Sequence, residues 1–307
     1  MPLTQKVSFK EMLQRGNMQN AVAVGLGEIG GTIFSILKES KKFKVYGVDL
    51  DRKIMEEYDT VDPISQLAES GKCKCEIDVM HICIPVPNKN KFAEIATALI
   101  QKYKPKLTII NSTVPIGTTV ELHKQCDGLI AHSPCRGVHK NKEYMEKEFH
   151  RWTEYVGGAT PDAGVEAQEH FAAAGLKTKM LSNCTEKEFA KLFETTYRTW
   201  MIVFFQKMAR LARKYASINS DIKIDFEETV DFIEDTHRLR NDRLVMFPDV
   251  IGGHCLLPNS KLMLEELEPE MLKLIMESNE TRIGEMKDPE IAKETKKVAR
   301  RVEQFEN

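Results

Sequence analysis

Three features of this sequence predict an α/β fold, with a doubly wound parallel sheet followed by a helical domain built on one long central helix. Short apolar runs alternate with amphipathic stretches up to Leu181, a glycine string follows the first of those runs, and beyond Leu181 the texture turns to unbroken helical periodicity. AVAVGLGEIGGTIFSILKES, from Ala21, supplies a strand, a glycine turn and a helix, and KVYGVDLD, from Lys44, supplies the next strand. DVMHICIPVP, from Asp78, is a continuous apolar run stopped by prolines, as a buried parallel strand is, and KFAEIATALIQKY has helical spacing after it. LTIINSTVP repeats the strand pattern, a helix is expected around Gly117 to His123, and GLIAHSP gives another short strand. WTEYVGG, PDAGVEAQEHFAAAG and LKTKML add strand, helix and strand. From Thr185, TEKEFAKLFETTYRTWMIVFFQKMARLARKYA runs on with no proline or glycine, which makes it the central helix. DFEETVDFIEDTHRL and SKLMLEELEPEMLKLIMESNETRIGEM are helix-prone as well. The expected organisation is an N-terminal arm over 1–19, a sheet domain over 20–182, a helical domain over 183–285, and a charged segment over 286–307 that is a solvated helix or a frayed tail.

Composition limits what such a chain does. Its 307 residues, 42% of them hydrophobic, supply a core without staples. Lys and Arg number 44 against 46 Asp and Glu, so no charge bias points to nucleic acid or an anionic membrane, and the partner is expected to be a small molecule. Seven scattered cysteines and no secretory leader suggest reduced thiols in a cytoplasm. The most apolar run, Trp200 to Phe205, is far short of the roughly 20 residues a membrane span requires. CKC at Cys73 to Cys75 has no second pair at zinc spacing, and no metal site is expected.

The glycine string carries the first functional reading. GLGEIG at Gly25 to Gly30 is a G-x-G-x-x-G placed after a strand and at the start of a helix, and Asp49 ends the following strand. Gly25 allows the tight turn, Gly27 lets the backbone approach a pyrophosphate, and Gly30 permits close packing of helix on strand. Glu28 and Ile29 lie in the same turn, where the helix start offers partial positive charge. A carboxylate at Asp49 suits a ribose hydroxyl and repels a 2′-phosphate, so this Rossmann-type unit is expected to take NAD rather than NADP.

Several segments together resemble the UDP-glucose and GDP-mannose dehydrogenase family, NAD enzymes that oxidise a sugar-nucleotide primary alcohol to a carboxylate. GLGEIG, ICIPVP with Pro85, and NSTVPIGTT with Ser112 and Thr113 look like that family's cofactor domain. FAKLFETTYRTW is similar to the helix that carries the family's catalytic lysine, here Lys191. GGHCL at Gly252 to Leu256 is similar to its nucleophile loop, and DRL, with Arg243, echoes its D-x-R-I. The resemblance implies Cys255 as the nucleophile that traps an aldehyde as a thiohemiacetal, Lys191 as the residue that stabilises charge on oxygen, and Thr113 as the partner of a water or proton. It also implies a homodimer through the central helix.

Departures from the family pattern bear on the substrate. Thr195 stands where the family has asparagine, Gln206 and Lys207 where it has an asparagine-glutamate pair, and Asn259 where it has aspartate. SPCRGVHKN places Cys135 and His139 where two glutamates belong, and Arg136 could hold an anion. The family's second α/β domain is expected to be absent. Thr195, Asn259, Arg136, His139 and Arg243 are the substrate candidates. Two other readings stay open: a two-electron dehydrogenase of a β-hydroxyacid or sugar acid, and a non-catalytic subunit that kept the NAD domain.

Overall fold

The computed structural model describes residues 18–64, 76–137, 141–218, 221–240, 246–253, 255–267 and 270–303. The chain divides into two compact units, Met1–Lys191 and Leu192–Asn307.

The first unit is a seven-stranded sheet in the order β2-β1-β3-β4-β5-β6-β7. β1 (Gln19–Val24) lies between β2 (Phe43–Val48) and β3 (Val79–Ile82), so the chain leaves it first to one side and then to the other. That reversal opens a crevice at the carboxyl end of β1, which is where doubly wound sheets bind ligands. β4 (Leu107–Ile110) and β5 (Leu129–His132) continue the parallel order. β6 (Glu154–Gly158) then runs antiparallel to β5, while β7 (Thr178–Met180) pairs parallel with β6. The sheet is therefore mostly parallel, with one reversal that the all-parallel expectation does not contain.

Side-chain alternation divides the strands between two apolar layers. Ala21, Val79, Leu107 and Ile109 pack on one face with α1 (Glu28–Glu39), α5 (Lys142–Arg151) and α6 (Pro161–Ala173), through Ile33, Leu37, Met145, Phe149 and Phe171. Val22, Val24, Met80, Ile82 and Ile110 pack on the other with α3 (Lys89–Tyr103) and α4 (Thr118–Gln125), through Phe92, Ile100 and Leu122. α5, and the short α2 (Arg52–Glu57) after β2, are helices that the sequence reading passed over.

α7 (Cys184–Ile218) is 35 residues long. The boundary between the two units falls inside it rather than before it, because Cys184, Lys187 and Glu188 are buried in the first unit. In the second unit, α8 (Phe226–Arg240), α9 (Leu256–Leu267), α10 (Glu270–Glu285) and α11 (Pro289–Glu303) accompany the rest of α7. Phe205, Ala209, Phe226, Val230 and Val298 form one apolar cluster. Val298 belongs to α11 and is fully buried, so the charged segment expected to be solvated is an integral helix whose apolar face closes the bundle. Among the described residues, no helix is long and apolar enough to cross a membrane, and no cluster of His, Cys, Asp and Glu could hold a metal.

Candidate active site

At the crevice, each glycine of the string meets a different demand. Gly25 leaves β1 with φ +85°, and a Cβ there would stand 2.6 Å from the Cys83 carbonyl oxygen. A Cβ on Gly30 would stand 1.7 Å from the Gly25 carbonyl oxygen, so α1 can rest on the turn only if that side chain is absent. Gly27 is exposed, with nothing within 4 Å of a Cβ, and it caps α1 without a side chain over the first amides. Glu28 is exposed beside it and Ile29 is half-buried. The amides at the start of α1 thus face open space, ready for an anionic group. Asp49 completes the rim: Oδ2 accepts from the Leu26 amide at 2.7 Å and Oδ1 from the Asp51 amide at 3.0 Å. The carboxylate is held against the glycine loop with a second lone pair on each oxygen for a ribose hydroxyl. These residues fit a dinucleotide.

Along the same edge, Pro85 is exposed beyond β3 and Thr113 is half-buried beyond β4. Ser112 is buried and donates its hydroxyl to the Ile84 carbonyl at 2.6 Å, so it ties the two strand exits together. Asn111 donates to the Ser133 carbonyl at 2.7 Å, which turns its Oδ1 toward His81 Nδ1 at 2.9 Å. His81 therefore carries its proton on Nδ1, and its Nε2 accepts from His170 Nε2 at 2.9 Å. Burial holds the pKa of His81 down to about 4 and lowers that of His170, so both imidazoles are neutral.

Glu188 is a residue that the sequence reading missed. Fully buried on α7, it accepts from the Gly117 amide at 2.6 Å, the Thr119 amide at 2.8 Å and the Thr119 hydroxyl at 2.6 Å. It caps α4 from a distance, where Gly117 (φ +88°) has no side chain to do so. One carboxylate thereby fixes the end of the STVPIGTT segment to the helix that carries Lys191. Burial raises its pKa, and the bonds from Thr119 and Gly117 oppose the rise.

Lys191 is half-buried on α7, and a second lysine, Lys187, lies one turn before it in full burial. Burial lowers the Lys187 pKa to about 8, with Lys191 and Arg136 adding repulsion and Glu154 opposing. Glu154, on β6, is raised by burial and contacts the Ser133 hydroxyl at 2.5 Å. Arg136 donates to the Thr153 carbonyl at 2.8 Å and lies 5.0 Å from the Tyr155 ring centroid and 5.6 Å from that of Trp152. It is held by stacking and a backbone bond. Neither Lys187 nor Glu154 was singled out in the sequence, where both look like surface charges.

In the second unit, Cys255 is half-buried at the start of α9, the positive end of that helix. Among the described residues nothing lies within 4 Å of a Cβ on Gly252 or Gly253 before it, and Gly253 takes φ +81°. The Cys255 carbonyl accepts from the Asn259 amide at 3.0 Å. The Asn259 side chain reaches Thr195 Oγ1 at 3.5 Å, and Thr195 donates to the Leu192 carbonyl at 3.1 Å. The two departures from the family pattern are thus one contact, which links the first turn of α9 to α7. Gln206, a third departure, donates to the Asp249 carbonyl at 2.6 Å and accepts from Ser278 at 2.7 Å, so it positions the approach to the cysteine loop. Of the aromatic positions on α7, Phe205 is core and Phe204 is exposed. His139, Arg243, His254, the CKC cysteines and residues 1–17 of the expected N-terminal arm lie outside the described residues, while Gln19, at the end of that arm, already opens β1.

No family model matches the chain. It is 27% identical over 266 residues to a UDP-N-acetyl-D-mannosamine dehydrogenase of Methanocaldococcus jannaschii, covering 76% of this chain and 58% of that protein. A UDP-N-acetyl-D-mannosamine dehydrogenase of Campylobacter jejuni is 25% identical over 309 residues, covering 86% and 72%. Its curated relatives are nucleotide-sugar dehydrogenases. The chain spans 58% and 64% of the length of the Methanocaldococcus jannaschii and Pyrococcus horikoshii relatives. The fold is shared with the UDP-D-ManNAc dehydrogenase of Pyrococcus horikoshii (TM-score 0.68, 21% identity, 85% of this chain and 68% of that one). It is also shared with the 3-hydroxyisobutyrate dehydrogenase of Mycobacterium tuberculosis (TM-score 0.61, 15% identity, 89% and 95%).

Proposed function

We propose that this chain is an NAD-dependent oxidoreductase that converts a sugar or sugar-nucleotide alcohol to a carboxylate. The observation that carries the reading is the glycine loop, in which Gly25 and Gly30 are demanded by packing and Gly27 by open space for a ligand. Gly27, the first amides of α1 and Asp49 would hold NAD, which supplies the hydride acceptor. Similarity to UDP-N-acetyl-D-mannosamine dehydrogenases supports a nucleotide-sugar substrate.

In this reading the Cys255 thiolate attacks the aldehyde carbon and forms a thiohemiacetal, whose oxidation leaves a thioester that water cleaves to the acid. Lys191 stabilises negative charge on the reacting oxygen, and Thr113 orders a water or proton. Arg136 meets an anionic part of the substrate. α7 pairs with the same helix of a second copy: Phe193, Tyr197, Phe204, Leu211, Tyr215 and Ile218 are all exposed along it.

Incubation with UDP-N-acetyl-D-mannosamine and NAD tests the scheme by the NADH formed per sugar consumed. Two equivalents are expected, and Cys255→Ala should slow the second oxidation by about 1,000-fold or more. One equivalent, with Cys255→Ala fully active, would establish the two-electron reading, which the uncharged Thr195–Asn259 contact favours. Binding of NAD without turnover of any sugar nucleotide would mark a non-catalytic subunit.

A further inference from the structure

Lys187 is only 3% exposed, and among the described residues its ammonium makes no hydrogen bond or ion pair. It meets the ring of Tyr155, 5.8 Å from Nζ to the centroid, and the Arg136 guanidinium lies 5.0 Å from the same centroid. Lys191 follows one turn later on α7, near enough to repel it. The carboxylate that acts on Lys187 is that of Glu154, whose Oε1 is engaged with Ser133 and which forms no ion pair with the lysine among the described residues. Lys187, Arg136 and Lys191 all act on the Glu154 carboxylate. A buried cation without an acceptor is costly, and the cost falls if an anion enters. The cluster lies along the carboxyl edge of the sheet, where β5 ends and the reversed β6 begins.

We propose that Lys187, flanked by Arg136 and Lys191, forms a subsite for a small carboxylate, the group that the proposed reaction creates. The identity of the carboxylate as product rests on the proposed function; the subsite itself rests on the cluster. A bound carboxylate gives Lys187 its missing acceptor and offsets the repulsion among the three cations. The groups facing Lys187 are Lys191 on its own helix, Glu154 and Tyr155 on β6, Arg136 and Cys135 beyond β5, and His132 on β5, kept neutral by burial with a pKa of about 3. The free Lys187 ammonium loses its proton at about pH 8, and only the charged form attracts an anion. Carboxylate binding therefore takes up a proton, and affinity falls as pH rises through that value.

Malonate is a suitable probe, tested on the full chain at constant ionic strength. Trace modification of lysines with an amine-reactive ester, read residue by residue by mass spectrometry, should show Lys187 protected several-fold by malonate and unprotected by sodium chloride. Calorimetry should show malonate binding weakened about tenfold or more in Lys187→Met, retained in Lys187→Arg, and tightened in Glu154→Gln, which removes the competing carboxylate. Unchanged modification of Lys187, wild-type malonate affinity in Lys187→Met, or no tightening in Glu154→Gln would each overturn the subsite. Glu154→Gln keeps the question open to test should Lys187→Met not fold. Protection by malonate without oxidation of UDP-N-acetyl-D-mannosamine would sink the proposed function and leave the subsite standing. Oxidation with no effect of malonate on Lys187 would do the reverse.

Discussion

Two pairs of glycines, Gly25 and Gly30 in the sheet unit and Gly252 and Gly253 in the helical unit, sit in opposite surroundings. In the sheet unit, Gly25 and Gly30 are hemmed in by backbone, at 2.6 Å and 1.7 Å from an added Cβ, whereas Gly252 and Gly253 of the helical unit have nothing within 4 Å among the described residues. The first pair is required by packing and the second leaves room beside a thiol. Crowded glycines make a loop that admits one backbone path, and open glycines leave a loop whose shape depends on the polar side chains that tether it, here Gln206 and Asn259.

The sharpest way to break this contrast is Gly30→Ala. Its methyl cannot fit without moving the turn, so a loss of about 3 kcal/mol or more in urea unfolding is expected, together with loss of NAD binding. Gly27→Ala should instead leave stability within about 0.5 kcal/mol and weaken NAD alone, since its Cβ points into the space a ligand would use. Equal effects of the two substitutions on stability would end the distinction.

Acid should also separate the units, because the buried neutral histidines His81, His132 and His170 all belong to the sheet unit. Their folded pKa values lie below the unfolded value of about 6.5, so the unfolded chain takes up protons first as pH falls. Stability is full above that value and declines by about 1.4 kcal/mol per pH unit for each histidine, down to about pH 4 for His81. Glu154 and Glu188, raised by burial, act in the opposite sense and offset part of the decline. Hydrogen exchange between pH 7 and pH 5 should show amides of the sheet unit losing protection first, and His170→Phe should flatten the slope.

A smaller effect is expected at Glu188→Gln, which turns one acceptor of the α4 cap into a donor facing an amide. A loss of about 2 kcal/mol in stability is expected, with faster exchange at Gly117 and Thr119. The smallest effects belong to the open glycines. Gly253→Ala should cost about 1 kcal/mol for its left-handed backbone, and Gly252→Ala about 0.5 kcal/mol or less. A larger loss at Gly252 would show the open loop to be closed by something it contacts.

The sheet, the glycine loop and α7 were legible in the sequence because their signals are local: alternation, glycine spacing, and an uninterrupted 3.6-residue period. The sense of β6 was not, since a strand's direction depends on where the chain has already been laid. The buried apolar residues described on α5 are Met145 and Phe149, set among charged residues of which Glu148 is buried too, a pattern too thin to stand out. α11 carries a readable stripe of Thr295 and Val298, obscured by the lysines and glutamates between. Cys255, Lys191 and Thr113 were reached through resemblance alone. Lys187, Glu154 and Glu188 were invisible because burial of a charge is decided by distant neighbours and leaves no mark on its own segment.

The bond between His81 and His170 gives the protein a reporter of its own. A single proton lies between two ring nitrogens of separate side chains, 2.9 Å apart and sealed from solvent. In a ¹⁵N-labelled sample that proton should appear far downfield, exchange slowly, and transmit a scalar coupling from one imidazole to the other. The signal vanishes the moment β3 and α6 part, so the core can be watched without any added probe.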